Sequence, residues 1–408
     1  MSDVIQGLLI WRRLILCILL LSTLPGFACA DTVPVHTNRV LFVNPTWPGH
    51  PHWQRITETM LKAAHEFGIE LEVIYAGYED RNKRLAYRDL VLSASRQKPS
   101  PDYVVFMFYK SVGTETLAAL ETAKIHSFTI NTPIPDNERE SIEYPQEYFK
   151  YWLGHIAPDD KLVGAQLAID LLAQVADNHS PAAVPVEGLG LTGDWLSSAA
   201  QDRKSGLQAI AKPEQLKIRQ IVPASWDKEI ARSKTRTLLK RYPHVRYIWC
   251  ASDTMALGAI AALKDLKVWQ QDYFIIGGVD WTKEGLTAIA DGELSASIGG
   301  HFLDGGWVMV MIYDHAHGVR LDTIKTRLTS PMKVLTRSNV ASYRANLLDL
   351  SQAQLQFSSF SLYKNGGLEY RFDIDQAMLA QPDSRNSQQR DLSDQKPVSA
   401  IIQDDGAR

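Results

Sequence analysis

From residue 39 onward, short apolar runs alternate with longer segments of helical period, and the alternation restarts midway along the chain. Runs at 39–43, 70–75, 102–108 and 126–131 make up the first round. Runs at 189–193, 217–222, 246–251, 273–279 and 294–299 make up the second, with helical segments near 159–176, 198–211, 227–241, 254–266 and 282–291. In the segment after the first run, Trp53, Ile56, Met60, Ala63 and Phe67 share one helical face, and Gly68 follows as a stop. Strand–helix alternation builds a parallel sheet covered by helices on both faces. Two rounds of similar size predict an α/β protein of two similar doubly wound lobes.

The first thirty residues do not belong to that pattern. Arg12 and Arg13 precede the apolar stretch LILCILLLSTLPGF, and ACA stands before Asp31. A basic start, a short apolar run and a small-x-small site mark a secretory signal peptide. The run is short for a spanning helix, which needs about twenty apolar residues. Cleavage is expected after Ala30, with an uncleaved anchor as the rival; bulky Phe27 argues against a lipoprotein signal ending at Cys29. Beyond the signal only Cys250 remains, which excludes an internal disulfide and a cysteine metal cluster. Its place inside YIWCASD reads as a buried strand residue. An export signal without disulfides points to a bacterial periplasm. The 408 residues carry a net charge of −3, which gives no electrostatic case for nucleic acid.

Ligands of open parallel sheets sit beyond the carboxyl ends of the strands. The first strand is followed by NPTWPGHPHWQRI, with His50, His52 and Trp53. Later ends offer Asn131-Thr132, Arg203 on the helix after GDWLSS, Trp226 in PASWD, Ser252-Asp253, Asp280-Trp281 and Gly300-His301. Indoles stack on the C–H face of a hydroxylated ring, and Asp, Asn and Arg hold hydroxyls in fixed planes. That combination suits a sugar-like ligand. Each residue has a plain structural alternative: Trp53 as core, Trp226 as a staple ahead of the capping Asp227, Asp253 and Asp280 as helix caps, Arg203 as a solvated helix residue. No metal or cofactor is expected, since no acidic residue stands at ligand spacing from His50 and His52. Nor is an enzyme, since no phosphate loop, GxSxG elbow or nucleophile–base pair can be named.

The stretches LTGDWLSSAAQDRKSGL, WDKEIARSKTRTLLKRYPHVRYIWCASDTMALGAIAAL and IIGGVDWTKEGLTAIADGELSASI, in this order, resemble type I periplasmic solute-binding proteins of the ribose- and galactose-binding group. The resemblance covers about 39–345. It implies two lobes, 38–154 with 301–328 and 155–300 with 329–346, joined by three hinge crossovers near 153–156, 299–302 and 328–333. It also implies a ligand site of His50, His52, Trp53, Asn131, Arg203, Trp226, Ser252, Asp253, Asp280 and His301. Ser252 departs from the family's Asn, Asn131 from an acid, and Gly300 from a common Gln. The pattern from Cys250 to Ala259 and Asn131-Thr132-Pro133 also resemble the receptor for a furanosyl autoinducer, although Val279 and Gly300 do not match that receptor's Trp and Arg.

The implied function is periplasmic capture of a sugar-like ligand and its presentation, by a monomer, to the permease of an ABC transporter. A receptor feeding a membrane sensor kinase or cyclase is the alternative. Residues 350–408 read as a partly disordered tail, with a hairpin around Asn365-Gly366. Trp47 has no counterpart to place it.

Overall fold

The structure is a computed structural model, and it describes residues 38–79, 83–139, 142, 144–178 and 185–378. The expected signal and residues 379–408 lie outside the described residues. Among the described residues, no helix is long and apolar enough to cross a membrane.

The strands are β1 (Arg39–Asn44), β2 (Glu70–Tyr75), β3 (Tyr103–Phe106), β4 (His126–Ile130), β5 (Trp152–Ala157), β6 (Val186–Thr192), β7 (Leu216–Pro223), β8 (Tyr247–Cys250), β9 (Ile275–Val279), β10 (Ala296–Gly299), β11 (Arg327–Thr329) and β12 (Lys333–Thr336). They form two sheets, ordered β2-β1-β3-β4-β5-β11 and β7-β6-β8-β9-β10-β12. Strand order is the same in both. All pairs are parallel except β10 with β12. The helices are α1 (Pro51–Phe67), α2 (Arg84–Ser95), α3 (Gly113–Ala123), α4 (Asp136–Arg139), α5 (Asp160–Asn178), α6 (Ser198–Ile210), α7 (Lys228–Arg241), α8 (Asp253–Asp265), α9 (Lys283–Ala290), α10 (Asp304–Ala316), α11 (Val340–Leu347), α12 (Leu362–Asn365) and α13 (Ile374–Ala377).

The alternation of side chains along β1 shows why the sheet is covered on both faces. Val40 and Phe42 join Trp53, Ile56 and Met60 of α1 in one cluster. Leu41 and Val43 join Tyr87 and Val91 of α2 and Leu117 of α3 in another. A strand buried on both faces has no polar alternate, so it reads as a continuous apolar run. Cys250 ends β8 and is buried, in keeping with the sequence.

The chain passes between the sheets three times: from β5 to α5, from β10 through a turn at His301–Leu303 to α10, and from β11 to β12. All of β5 belongs to the first sheet, so the first crossover lies just beyond the 153–156 expected. Gly300 in the second has φ 134°, and a Cβ there would sit 2.4 Å from the Pro331 carbonyl. Only glycine suits that backbone.

The segment from 350 to 378 corrects the expected tail. Phe357, Phe360, Tyr370, Ile374 and Met378 are buried. Phe372 stacks on Trp307 of α10 at 4.6 Å. The hairpin does not form: Asn365 ends the single turn of α12, and Gly366, at φ 70°, caps it. An Asn-Gly pair supplies the left-handed conformation that both a hairpin turn and a helix end require.

His155 in β5 is buried beside the Thr129 hydroxyl at 2.9 Å. Burial, then the charges of Arg327 and Arg139, push its pKa down to about 3. Between that value and about 6.5 the unfolded chain binds a proton that the folded chain refuses, so stability is lost as pH falls through this window. His155→Asn removes the effect. Its deficit against the parent, followed by urea unfolding, is expected to shrink by about 2–3 kcal/mol from pH 7.5 to 4.5. An unchanged deficit would mean that His155 takes up its proton in the fold as readily as in the unfolded chain.

Candidate functional site

The carboxyl ends of strands from both sheets meet around one cavity of about 140 Å³. Nine of the ten residues singled out from the sequence line it: His50, His52, Trp53, Asn131, Arg203, Trp226, Ser252, Asp280 and His301. Two contacts cross between the lobes at its rim. Lys110 Nζ lies 3.4 Å from Asp194 Oδ2, and the Ser198 hydroxyl donates to the Pro133 carbonyl at 3.0 Å.

Sharp exits from the strands aim these side chains inward. Lys110, Asn131, Ser225, Trp226 and Asp280 all have φ between 48° and 117°, a region that non-glycine residues avoid. All five line the cavity. Strain of this kind gathers where the surrounding structure fixes a functional geometry.

On the first lobe, α1 begins at the cavity wall. His50 caps it: its Nδ1 accepts from the Trp53 backbone N–H, and Pro51 takes the first helical position. His52 Nε2 lies 2.8 Å from Asn131 Oδ1, which joins the ends of β1 and β4. Burial pushes the His50 pKa down to about 4 and that of His52 to about 3. Trp47, unplaced by sequence, also lines the cavity and meets His50 and Tyr78 edge-on.

On the second lobe, Arg203 of α6 is buried. Its Nε donates to Asp160 Oδ1 at 2.5 Å and its Nη1 to the Ala251 carbonyl at 2.7 Å. Nη1 is also 3.6 Å from Asp280 Oδ1, and the guanidinium lies 5.8 Å from the Trp226 ring centre. Burial pushes the Asp160 pKa up to about 7, with Arg203 opposing the shift. Asp227 caps α7 through the Ile230 N–H at 2.9 Å, as its position suggested. His301, in the second crossover, lies over His52 with ring centres 4.5 Å apart.

Asp253 is the correction. It does not line the cavity, and the cap of α8 is Ser252, whose Oγ accepts from the Met255 N–H. Asp253 is already helical and turned inward, where it accepts from the Thr282 N–H at 2.8 Å and the Ser297 hydroxyl at 2.6 Å. Burial, then the nearby Asp280, raises its pKa to about 8. A Cβ at Gly278 or Gly285 would lie 2.4 Å from this carboxyl, so both positions leave it room. Asp253 thus ties α8 to the start of α9 and to β10.

Sequence reasoning missed Lys110, Tyr109 and Asp194. Lys110 follows β3, a strand end of the first lobe not followed to its loop. The rule that found the others would have found it.

Two α/β lobes that touch across a cavity walled by indoles and ion-paired polar groups define a cleft-type ligand-binding protein. The chain belongs to the periplasmic binding protein domain family, whose match runs over residues 40–318. The ribose import binding protein of Salmonella typhimurium is 32% identical over 146 residues, 36% of this chain and 46% of that protein. The chain therefore spans about half the length of that relative. A periplasmic sugar-binding protein from Pseudomonas fluorescens is 26% identical, with a TM-score of 0.73 over 84% of this chain and 99% of that one. An ABC transporter periplasmic solute-binding protein from Actinobacillus succinogenes, with bound D-allose, is 17% identical and shares the fold with a TM-score of 0.64, over 75% of this chain and 100% of that one.

Proposed function

We propose that the protein captures a monosaccharide-sized hydroxylated ring in the periplasm and hands it, with the lobes closed, to an ABC importer. The observation that carries this reading is the pairing of Trp53 and Trp226. They come from opposite lobes and line one cavity with Arg203, Asp280 and Asn131. Indole faces take the ring's C–H face, and the planar polar groups take its hydroxyls. The ligands named for the relatives, ribose and D-allose, are of this class. The relatives' role in import favours transport over the sensor-feeding alternative.

Ligand that binds only the folded, closed form raises the unfolding temperature in proportion to its occupancy. A thermal-shift screen of aldopentoses, aldohexoses, their furanose-rich members and myo-inositol is expected to give a concentration-dependent rise for at least one sugar. Trp226→Ala is expected to abolish the rise, with the ligand-free midpoint recorded beside it to show that the variant still folds. No rise with any sugar at millimolar concentration would overturn the proposal.

A further inference from the structure

One corner of the cavity holds more than hydroxyl readers. His52, Asp280 and His301 place one ligand atom each within 4.8 Å of the others. His52 Nδ1 is 3.9 Å from Asp280 Oδ1, and His301 Nε2 is 3.4 Å from the same oxygen. None of these atoms is hydrogen-bonded across the gap: His52 Nδ1 and both His301 nitrogens are buried without a partner. Orphaned buried polar atoms call for an explanation.

The orientation of His52 supplies one. Its Nε2 faces the Asn131 carbonyl oxygen at 2.8 Å, so the proton resides there and the lone pair is on Nδ1. That lone pair faces a carboxylate, acceptor against acceptor. A ring nitrogen fixed by a carbonyl oxygen, with the other aimed at an anionic oxygen, is the arrangement of a metal-binding histidine. Arg203 meets the same carboxylate only at long range, its Nη1 3.6 Å from Asp280 Oδ1, while Nε and Nη1 hydrogen-bond to Asp160 and the Ala251 carbonyl.

We propose that His52 Nδ1, His301 Nε2 and Asp280 Oδ1 form a site for a divalent transition-metal ion of the zinc class. Two neutral imidazoles and one carboxylate suit such ions better than calcium or magnesium. Bonds of about 2.0–2.1 Å in a tetrahedral sphere separate ligand atoms by about 3.4 Å. Of the three edges, that from His301 to Asp280 already has this length, that from His52 to Asp280 needs to shorten by about half an ångström, and that between His52 and His301, within 4.8 Å, closes with them. The fourth position opens onto the cavity. The ligands come from the first lobe, the second lobe and a crossover, so a bound ion pins the lobes together. The site does not depend on the sugar reading.

The test is zinc chloride titrated calorimetrically into the full chain after dialysis against a chelator. The expected result is one site of micromolar affinity or tighter, weakened at least tenfold in His301→Ala and in the milder His52→Gln. Cobalt in place of zinc is expected to give the visible absorption of a four-coordinate ion. A second, half-buried histidine pair, His126 and His315 at 4.8 Å, provides the control, since His315→Ala should leave binding unchanged. No zinc binding, or binding indifferent to His52 and His301 but lost with His315, would overturn the site. Sugar titrations in chelator keep the two readings apart. Zinc binding with no sugar response upholds the metal site against the sugar reading, and sugar binding without zinc binding does the reverse.

Discussion

Asp280→Asn is expected to weaken monosaccharide binding by about ten- to a hundredfold while the ligand-free protein stays folded. A hydrogen bond to a charged group contributes about 1.5–3 kcal/mol, and each 1.4 kcal/mol is tenfold in affinity. The variant keeps the shape and one acceptor oxygen but removes the charge. Asp280 holds φ 117°, and asparagine tolerates positive φ about as well as aspartate, so the turn after β9 is not forced to move. Arg203 retains its bonds to Asp160 and Ala251, so no buried cation is left alone. The readout is calorimetric affinity for the best sugar from the thermal-shift screen, beside the unfolding midpoint without ligand. Unchanged affinity would reduce Asp280 to a structural neighbour of Arg203. Asp280→Ala is the poorer experiment, because alanine at this φ adds backbone strain to the loss of the carboxylate.

The geometry behind that prediction was legible in the sequence because topology does most of the placing. Once two rounds of strand and helix are read, every strand's carboxyl end must face one edge of its sheet. His52, Asn131, Trp226, Asp280 and His301 are found by that rule alone, though more than half the chain separates the first from the last. What the rule cannot give is the direction of a side chain within a turn. Ser252 and Asp253 are both good caps, and which one caps depends on a single residue's φ: Ser252 is extended at −154°, and Asp253 is the first helical residue. The carboxyl then turns to Thr282 and Ser297, a contact no local pattern shows. The relation of His52 to His301 and Asp280 is likewise a matter of lobe closure, which has no sequence period. Residues 350–378 were misread for a related reason. Phe357 and Phe360, then Tyr370 and Phe372, are aromatic pairs too short and too far apart to form one periodic run, and what buries them is packing beside Trp307 of α10.

Asp314→Ala is expected to cost about 3–5 kcal/mol of stability. Asp314 is fully buried near the end of α10 and holds the C-terminal segment in place. Its carboxylate accepts from the Ser361 hydroxyl at 2.5 Å, the Leu362 N–H at 2.8 Å, the Tyr363 N–H at 3.3 Å and the Tyr370 hydroxyl at 3.1 Å. Alanine leaves these donors without an acceptor, and each buried unsatisfied group costs about 1–3 kcal/mol. The loss reaches further because the segment is bound at both ends. Glu66 of α1 accepts from the Phe357 and Ser358 N–H groups at 2.9 and 2.8 Å. Asp375 takes Lys333 at 2.5 Å and Tyr343 at 2.8 Å on the second lobe's side, and Ile374 packs against Gly300 in the crossover. The segment therefore straps both lobes across the crossovers, and freeing its middle exposes Trp307 to water. Urea unfolding followed by tryptophan fluorescence should show the midpoint falling, with Asp314→Asn intermediate because it keeps one acceptor oxygen. Asp322→Ala is the comparison: its pair with Arg320 is exposed and screened by water, so its loss should leave the midpoint nearly where it was. If Asp314→Ala unfolds at the parent's midpoint, the strap is not part of the cooperative fold.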